Sequence, residues 1–231
     1  MLEVKGLNSF YGKSHILQGL NINIKDGEII SLLGRNGVGR STTIKSIMGM
    51  VNCTGSIKFL GKEIIGMPIH DIANLGIAYV AENRDIFPDL SVLENLELGK
   101  KNADFKKEWE IDDFLEIFPN LKNRMNVAGG LLSGGEQQML TISRSLLGNP
   151  KLIMIDEPTE GLSPQMVNSV ELLLKKIVER GVSILLVEQK LTIAFELANK
   201  HYVMGHGKIV FEGTTNQLKN DKEVMKEWLE V

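Results

Sequence analysis

The sequence predicts an α/β fold with a mostly parallel sheet, an antiparallel β subdomain near the N-terminus and an inserted α-helical subdomain. Three observations predict it. Short apolar strands alternate with helical segments along most of the chain. The runs "LIMID" (152–156) and "SILLV" (183–187) are nearly continuous apolar stretches, as strands buried on both faces are. The stretch "SLLGRNGVGRSTTIKS" (31–46) reads as an apolar strand, a glycine-rich loop and the start of a helix.

The elements follow in order. "LEVKGL", "LNINIKDGEIISLLG" and "GSIKFLGKEI" are short strands divided by turn residues, so the first 65 residues are β-rich, with one helix beginning near Ser41. "GIAYVAE" is a further apolar strand. From about Ser91 to Leu147 the character becomes helical, in "SVLENLELG" and "KKEWEIDDFLEIFPNL". Ile111, Phe114, Leu115 and Phe118 fall at i, i+3, i+4 and i+7, the spacing of a core-facing stripe. "KLIMIDEP" is a buried parallel strand ended by two carboxylates, and "QMVNSVELLLKKIVERG" an amphipathic helix stopped at Gly181. "VSILLVEQ" is another buried strand, "KHYVMGHGKIVFEGT" a hairpin and "TNQLKNDKEVMKEWLEV" a closing helix. No repeat, low-complexity tract or linker interrupts the chain, which is expected to form one domain over residues 1–231.

Composition bounds the function. At 231 residues with 43% hydrophobic and 24% charged side chains, the composition is that of an ordinary globular protein. A net charge of −3 argues against a general nucleic-acid binder, which carries a basic surplus. Cys53 is the one cysteine; it excludes an internal disulfide and fits a reducing compartment. The chain alternates like a strand from its first residues, so no signal peptide is expected, and no run of 18 apolar residues exists to span a bilayer.

The chemistry begins at the glycine loop. Gly34, Gly37 and Gly39 let the backbone turn its N–H groups inward toward an anion, and the positive end of the following helix adds to the attraction. Ser41 offers a hydroxyl to Mg²⁺. The competing interpretation of the loop alone is a tight strand-to-helix turn. Asp156, closing a buried strand, has the placement needed to hold the water shell of Mg²⁺, and Glu157 beside it is suited to polarise an attacking water. Together these runs indicate a P-loop NTPase core. "LLSGGEQQML" (131–140) is a second anion cradle, a serine and two glycines at a helix start, and one nucleotide site does not need two.

"LSGGEQQ" resembles the signature sequence of ATP-binding cassette (ABC) proteins, and it sits about twenty residues before "LIMIDE", as it does in that family. The resemblance covers essentially the whole chain. It implies that Tyr11 stacks on adenine. The run Gly34, Arg35, Asn36, Gly37, Val38, Gly39, Arg40, Ser41 and Thr42 matches the Walker A loop, with Arg35 on the loop surface. Asp156 matches the Walker B aspartate and Glu157 the catalytic base. Ser133, Gly134, Gly135 and Glu136 match the signature loop, which binds the γ-phosphate held by a partner chain. "EGLSP" (160–164) lies where the D-loop meets the opposite site. The implied division is a core lobe of residues 1–90 and 146–231 with a helical subdomain at about 91–145 that docks on membrane subunits.

Three positions depart from the commonest cassette pattern. Glu82 stands where the Q-loop glutamine would fall, and would join Ser41 and Asp156 as a metal ligand. Gln189 stands at the switch histidine; it cannot act as a base but retains an amide to donate to the γ-phosphate. These two, with "IFPDLSVLENL" and "GKIVFEGT", resemble the ATPases of branched-chain amino acid importers, although that subgroup's usual "VPEG" is "VAEN" here. The third is Arg40, in place of the Walker A lysine. An arginine keeps the charge but brings a bulkier planar fork where a compact ammonium is usual.

The expected function is therefore that of an ATPase subunit of an ABC importer, peripheral on the cytoplasmic face of a membrane, using ATP and Mg²⁺. Its expected partners are a second cassette chain (a copy or a paralogue), permease subunits and, indirectly, a solute-binding protein, with no nucleic acid. The alternatives are a soluble repair or translation ATPase, against which the lack of a coiled-coil insertion or second cassette argues, and a weakly hydrolysing cassette paired with an active one. Arg40 favours the latter.

Overall fold

The structure is a computed structural model and describes residues 1–100 and 109–229. Two sheets organise it. The first is antiparallel: β1 (Leu2–Tyr11) pairs with β2 (Ser14–Ile24) and with β4 (Asn52–Phe59), which in turn carries the short β5 (Lys62–Glu63). Leu17, Leu20, Ile22 and Ile24 of β2 point inward between exposed neighbours, the period-2 pattern of a sheet with one wet face. At Gly55 (φ +118°) the strands cross so closely that a Cβ would lie 2.5 Å from the Gly6 carbonyl oxygen.

The second sheet has the order β10-β9-β3-β8-β7-β6. β3 (Ile29–Leu33) is followed by α1 (Arg40–Ile47), and α2 (Ile69–Asn74) precedes β6 (Ile77–Val80). The helical stretch comprises α3 (Val92–Glu97), α4 (Ile111–Ile117), α5 (Pro119–Lys122) and α6 (Gly134–Leu146). β7 (Leu152–Asp156), α7 (Pro164–Glu179), β8 (Ser183–Val187) and α8 (Leu191–Leu197) follow, then β9 (Lys200–Gly205), β10 (Lys208–Thr214), α9 (Thr215–Asn220) and α10 (Lys222–Val224). β3, β8, β7 and β6 are parallel neighbours, and β9 joins β3 in parallel before turning back antiparallel into β10. Every residue of β7 and β8 is buried, as their apolar runs require.

Parallel strands end on the same edge. The register Leu32↔Val187, Asp156↔Val187 and Val80↔Ile155 places the loops after β3, β8, β7 and β6 together. In open α/β sheets, ligands bind in the crevice outside this carboxyl edge.

Two helical expectations change. The closing stretch is not one helix. Asp221 (φ −86°, ψ 85°) stops α9, accepts from Val224 N to begin α10, and a wide turn at Met225–Leu229 completes the chain described. The break lets Trp228 fold back against Gly205 and join Leu33, Val203 and Leu218 in a small core. The stretch from Lys106 is helical only from Ile111 within the described residues, and 106–108 lie outside them. α4 ends at Ile117 because Phe118 precedes Pro119, which pushes it out of the helical region (φ −123°, ψ 72°). The stripe nevertheless packs as its spacing predicts: Phe114 and Phe118 are in the core and Ile111 and Leu115 rest against it.

Candidate functional site

The loop after β3 turns on glycines. Gly34, Gly37 and Gly39 have φ of +147°, +81° and +110°. A side chain at Gly34 would meet the Met204 carbonyl oxygen at 2.7 Å, and one at Gly39 would meet Leu17 at 2.7 Å. Gly39 caps α1 without a side chain, so no cap hydrogen bond occupies the helix start. Backbone N–H groups at such an end attract anions. Arg35, Asn36 and Gly37 are exposed, Val38 half-buried.

Arg40 is 5% exposed and turns toward the carboxyl ends of the strands. Its Nη2 donates to Glu157 Oε1 at 2.6 Å and to Asn36 Oδ1 at 2.9 Å, while Nη1 is buried with no partner. The fork therefore has one arm committed to a carboxylate and one arm open.

β7 delivers the carboxylates. Asp156, 1% exposed, lies beside the Ser41 side chain, and its Oδ1 is buried without a hydrogen-bond partner. Burial pushes its carboxyl up, with Ser41, Arg40 and Lys45 pulling the other way and Glu82 adding to the rise. Glu157 sits at φ +47°, strained for a residue with a Cβ, and its N–H is tied to the Val187 carbonyl at 2.9 Å. Burial raises its carboxyl to about 7 against the pull of Arg40, and Glu160 and Glu82 reinforce the rise.

A cavity of about 350 Å³ is lined by Asn36, Gly37, Gly39, Arg40, Ser41, Thr42, Glu82, Glu157 and Glu160. It unites the glycine loop with carboxylates that follow β6 and β7. Glu160 opens the "EGLSP" run expected to face the opposite site, and its place in this cavity follows from the turn after β7.

The other predicted residues do not line this cavity. Tyr11 ends β1 and is 48% exposed. Gln189 is exposed, two residues past the end of β8. The loop 133–136 starts α6: Ser133 accepts from Glu136 N, and Glu136 Oε2 accepts from Ser133 N at 2.8 Å. Glu136 also pairs with Arg124 at 3.3 Å, so its carboxylate serves the cap. A Cβ on Gly134 would meet the tip of the Arg84 side chain, and one on Gly135 would meet the Met166 side chain at 3.0 Å. Three further side chains had no sequence signal. Arg84 Nη2 donates to the Glu160 carbonyl at 2.8 Å, and buried Glu188 accepts from Thr159 Oγ1 at 2.6 Å.

Comparison with known proteins shows the family. Residues 17–160 match the family described as ABC transporter. The chain is 38% identical, over 99% of both chains, to the high-affinity branched-chain amino acid transport ATP-binding protein BraG of Pseudomonas aeruginosa. It is 36% identical to the probable branched-chain amino acid transport ATP-binding protein LivF of Archaeoglobus fulgidus, over 98% of this chain and 97% of that one. It is 31% identical to the lipopolysaccharide export system ATP-binding protein LptB of Haemophilus influenzae, over 99% and 97%. Among solved structures, a nucleotide-free ATP-binding cassette from an ABC transporter superposes with a TM-score of 0.82 at 26% identity, covering 95% of this chain and 94% of that one. A bacterial ABC transporter cassette solved as a dimer gives 0.80 at 26% identity, covering 93% and 98%.

Proposed function

The chain belongs to the ABC transporter family as an ATP-binding, ATP-hydrolysing cassette, and from that premise we propose that it is the ATPase subunit of an importer for branched-chain amino acids or related small polar solutes. The observation that carries the catalytic part is the cavity in which the glycine loop, Arg40 and the β7 carboxylates meet. The two amino-acid transport relatives, matched end to end, support the solute class; the export relative at 31% identity leaves direction to be tested.

In this reading the backbone of 34–42 cradles the triphosphate, and the open arm of Arg40 receives a phosphate oxygen. Tyr11 stacks on the base. Glu82, Asp156, Glu157 and Glu160 would repel a phosphate unless a cation stood between them. The unpartnered Oδ1 of Asp156 beside Ser41 fits Mg²⁺, with Glu82 at the edge of the same space. Mg²⁺ characteristically takes one or two carboxylates plus substrate phosphates, and among the described residues no set of three His, Cys, Asp or Glu side chains forms a metal cage. The ion supplies charge neutralisation on the phosphates. Glu157 orients the attacking water and accepts its proton; Gln189 donates an amide hydrogen bond to the γ-phosphate.

The loop 133–136 lies off this cavity, so it would complete the site of a second cassette, a copy or a paralogue. The solved dimer of a related cassette supports such a clamp. We assign residues 1–90 and 146–231 to the nucleotide lobe and about 91–145 to the lobe that would meet permease subunits; with such partners the chain would sit peripherally on the cytoplasmic face of a membrane. Among the described residues no helix is long and apolar enough to cross a bilayer.

A second reading, a weakly hydrolysing cassette beside an active partner, is favoured by one observation: Arg40 is paired with Glu157. Two experiments test the proposal. Glu157→Gln should abolish hydrolysis and accumulate an ATP-bound dimer on size exclusion. A strain lacking the chain should lose uptake of labelled leucine, isoleucine and valine. Normal uptake refutes the solute class, and a variant that still hydrolyses ATP refutes the role of Glu157.

A further inference from the structure

Glu188 is a buried carboxylate that the reaction above does not use. It follows β8 directly and is 2% exposed. Three donors converge on it: Thr159 Oγ1 reaches Oε1 at 2.6 Å, and the N–H groups of Gln189 and Lys190 reach Oε2 at 3.1 and 3.2 Å. Lys190 Nζ closes the circuit by donating to the Thr159 carbonyl at 3.3 Å. Thr159 is itself fully buried and lies between Glu157 and Glu160 in the turn after β7. A buried carboxylate is tolerable only when its oxygens are satisfied, and here both are, which locks the geometry around it.

We propose that Glu188 is a positioning residue for hydrolysis: through Thr159 on one side and the backbone of Gln189 on the other, it holds the turn carrying Glu157 and Glu160 and the turn carrying Gln189 as one unit. The inference rests on the clamp reading above, in which the first turn faces water and the partner chain and the second faces the γ-phosphate. Gln189 is exposed, and its backbone N–H is held by this neighbour. The hydrogen bonds of the Glu188 side chain go to Thr159, Gln189 and Lys190 and not to the glycine loop, so its replacement should leave nucleotide affinity nearly unchanged.

Thr159→Val removes one donor at nearly constant volume. Glu188→Gln presents an NH₂ either to the Thr159 hydroxyl or to the two N–H groups. Both should lower turnover about tenfold or more, because displacing a reacting group by about 1 Å costs on the order of 10²-fold. ADP affinity by calorimetry should stay within about twofold, and Thr159→Ser should restore turnover. In a Glu157→Gln background, adding Thr159→Val should raise the protein concentration needed for ATP-driven dimerisation by about tenfold. This arm needs no hydrolysis. Variants that turn over and dimerise like the parent overturn the proposal. So does a loss of ADP affinity that parallels the loss of turnover, since that marks a merely structural contact. A parent that neither hydrolyses ATP nor dimerises on it overturns the clamp reading and this inference with it, and the parent alone reveals that case.

Discussion

Replacing Arg40 by lysine should speed this enzyme. Arg40 Nη2 is shared between Glu157 Oε1 at 2.6 Å and Asn36 Oδ1 at 2.9 Å, with both charged side chains nearly buried. A hydrogen bond to a charged group contributes about 1.5–3 kcal/mol. In the proposed mechanism Glu157 takes a proton from water, and for that the nucleotide must first draw the guanidinium away from it, so part of that energy adds to the barrier. At about 1.4 kcal/mol per factor of ten, the drag amounts to roughly 10- to 100-fold in turnover. Lysine brings a single compact charge and no fork, so it meets the phosphates without holding a second acceptor. Arg40→Lys should therefore raise steady-state turnover about tenfold, within that range, while calorimetric ATP affinity changes less than about threefold, because the backbone cradle is untouched. The nucleotide-free protein should lose stability by about 1–3 kcal/mol in urea unfolding, since buried Glu157 loses its strongest donor. A fall in turnover, or no change, refutes the argument and shows a loop built around its arginine.

Glu82→Gln should raise the Mg²⁺ concentration for half-maximal activity, because it removes a carboxylate from the cavity edge; an unchanged Mg²⁺ titration shows that Glu82 serves another surface. Glu157, raised to about 7 by burial, must be ionised to act, so kcat/KM for ATP should climb with pH through about 7. Glu160→Gln removes a group that raises Glu157 and should move that limb to lower pH; a limb that stays in place refutes the coupling. His201 is buried, bonded to Ser31 Oγ at 2.6 Å and Thr215 Oγ1 at 2.8 Å, and held down to about 4 by burial and by the charge of Lys219. Its pKa in the unfolded chain is about 6.5, so the stability it contributes is present above that value and is lost as pH falls toward about 4. Melting temperatures at pH 7 and 5 should differ less for His201→Gln than for the parent, and equal differences refute it.

The strand–glycine loop–helix unit, the buried strands and the chemistry at their ends were legible in the chain itself. These signals are local: three glycines that must bend, an apolar run that must be buried, a carboxylate at its end. Asp156 and Glu157 were legible for that reason, and so was the stripe from Ile111 to Phe118. Helix ends were less legible, because Asp221 could extend a helix or cap a new one, and the choice fell to Trp228 packing on Gly205. The partner of Arg40 was decided only by tertiary structure. It stands 117 residues away in Glu157, and nothing in "GRNGVGR" indicates which carboxylate the parallel register will bring to it. Glu188, Thr159 and Arg84 were invisible for the same reason. Each is a common residue type without a pattern, and each acquires its place because adjacent parallel strands end on one edge and bring their loops within hydrogen-bonding reach.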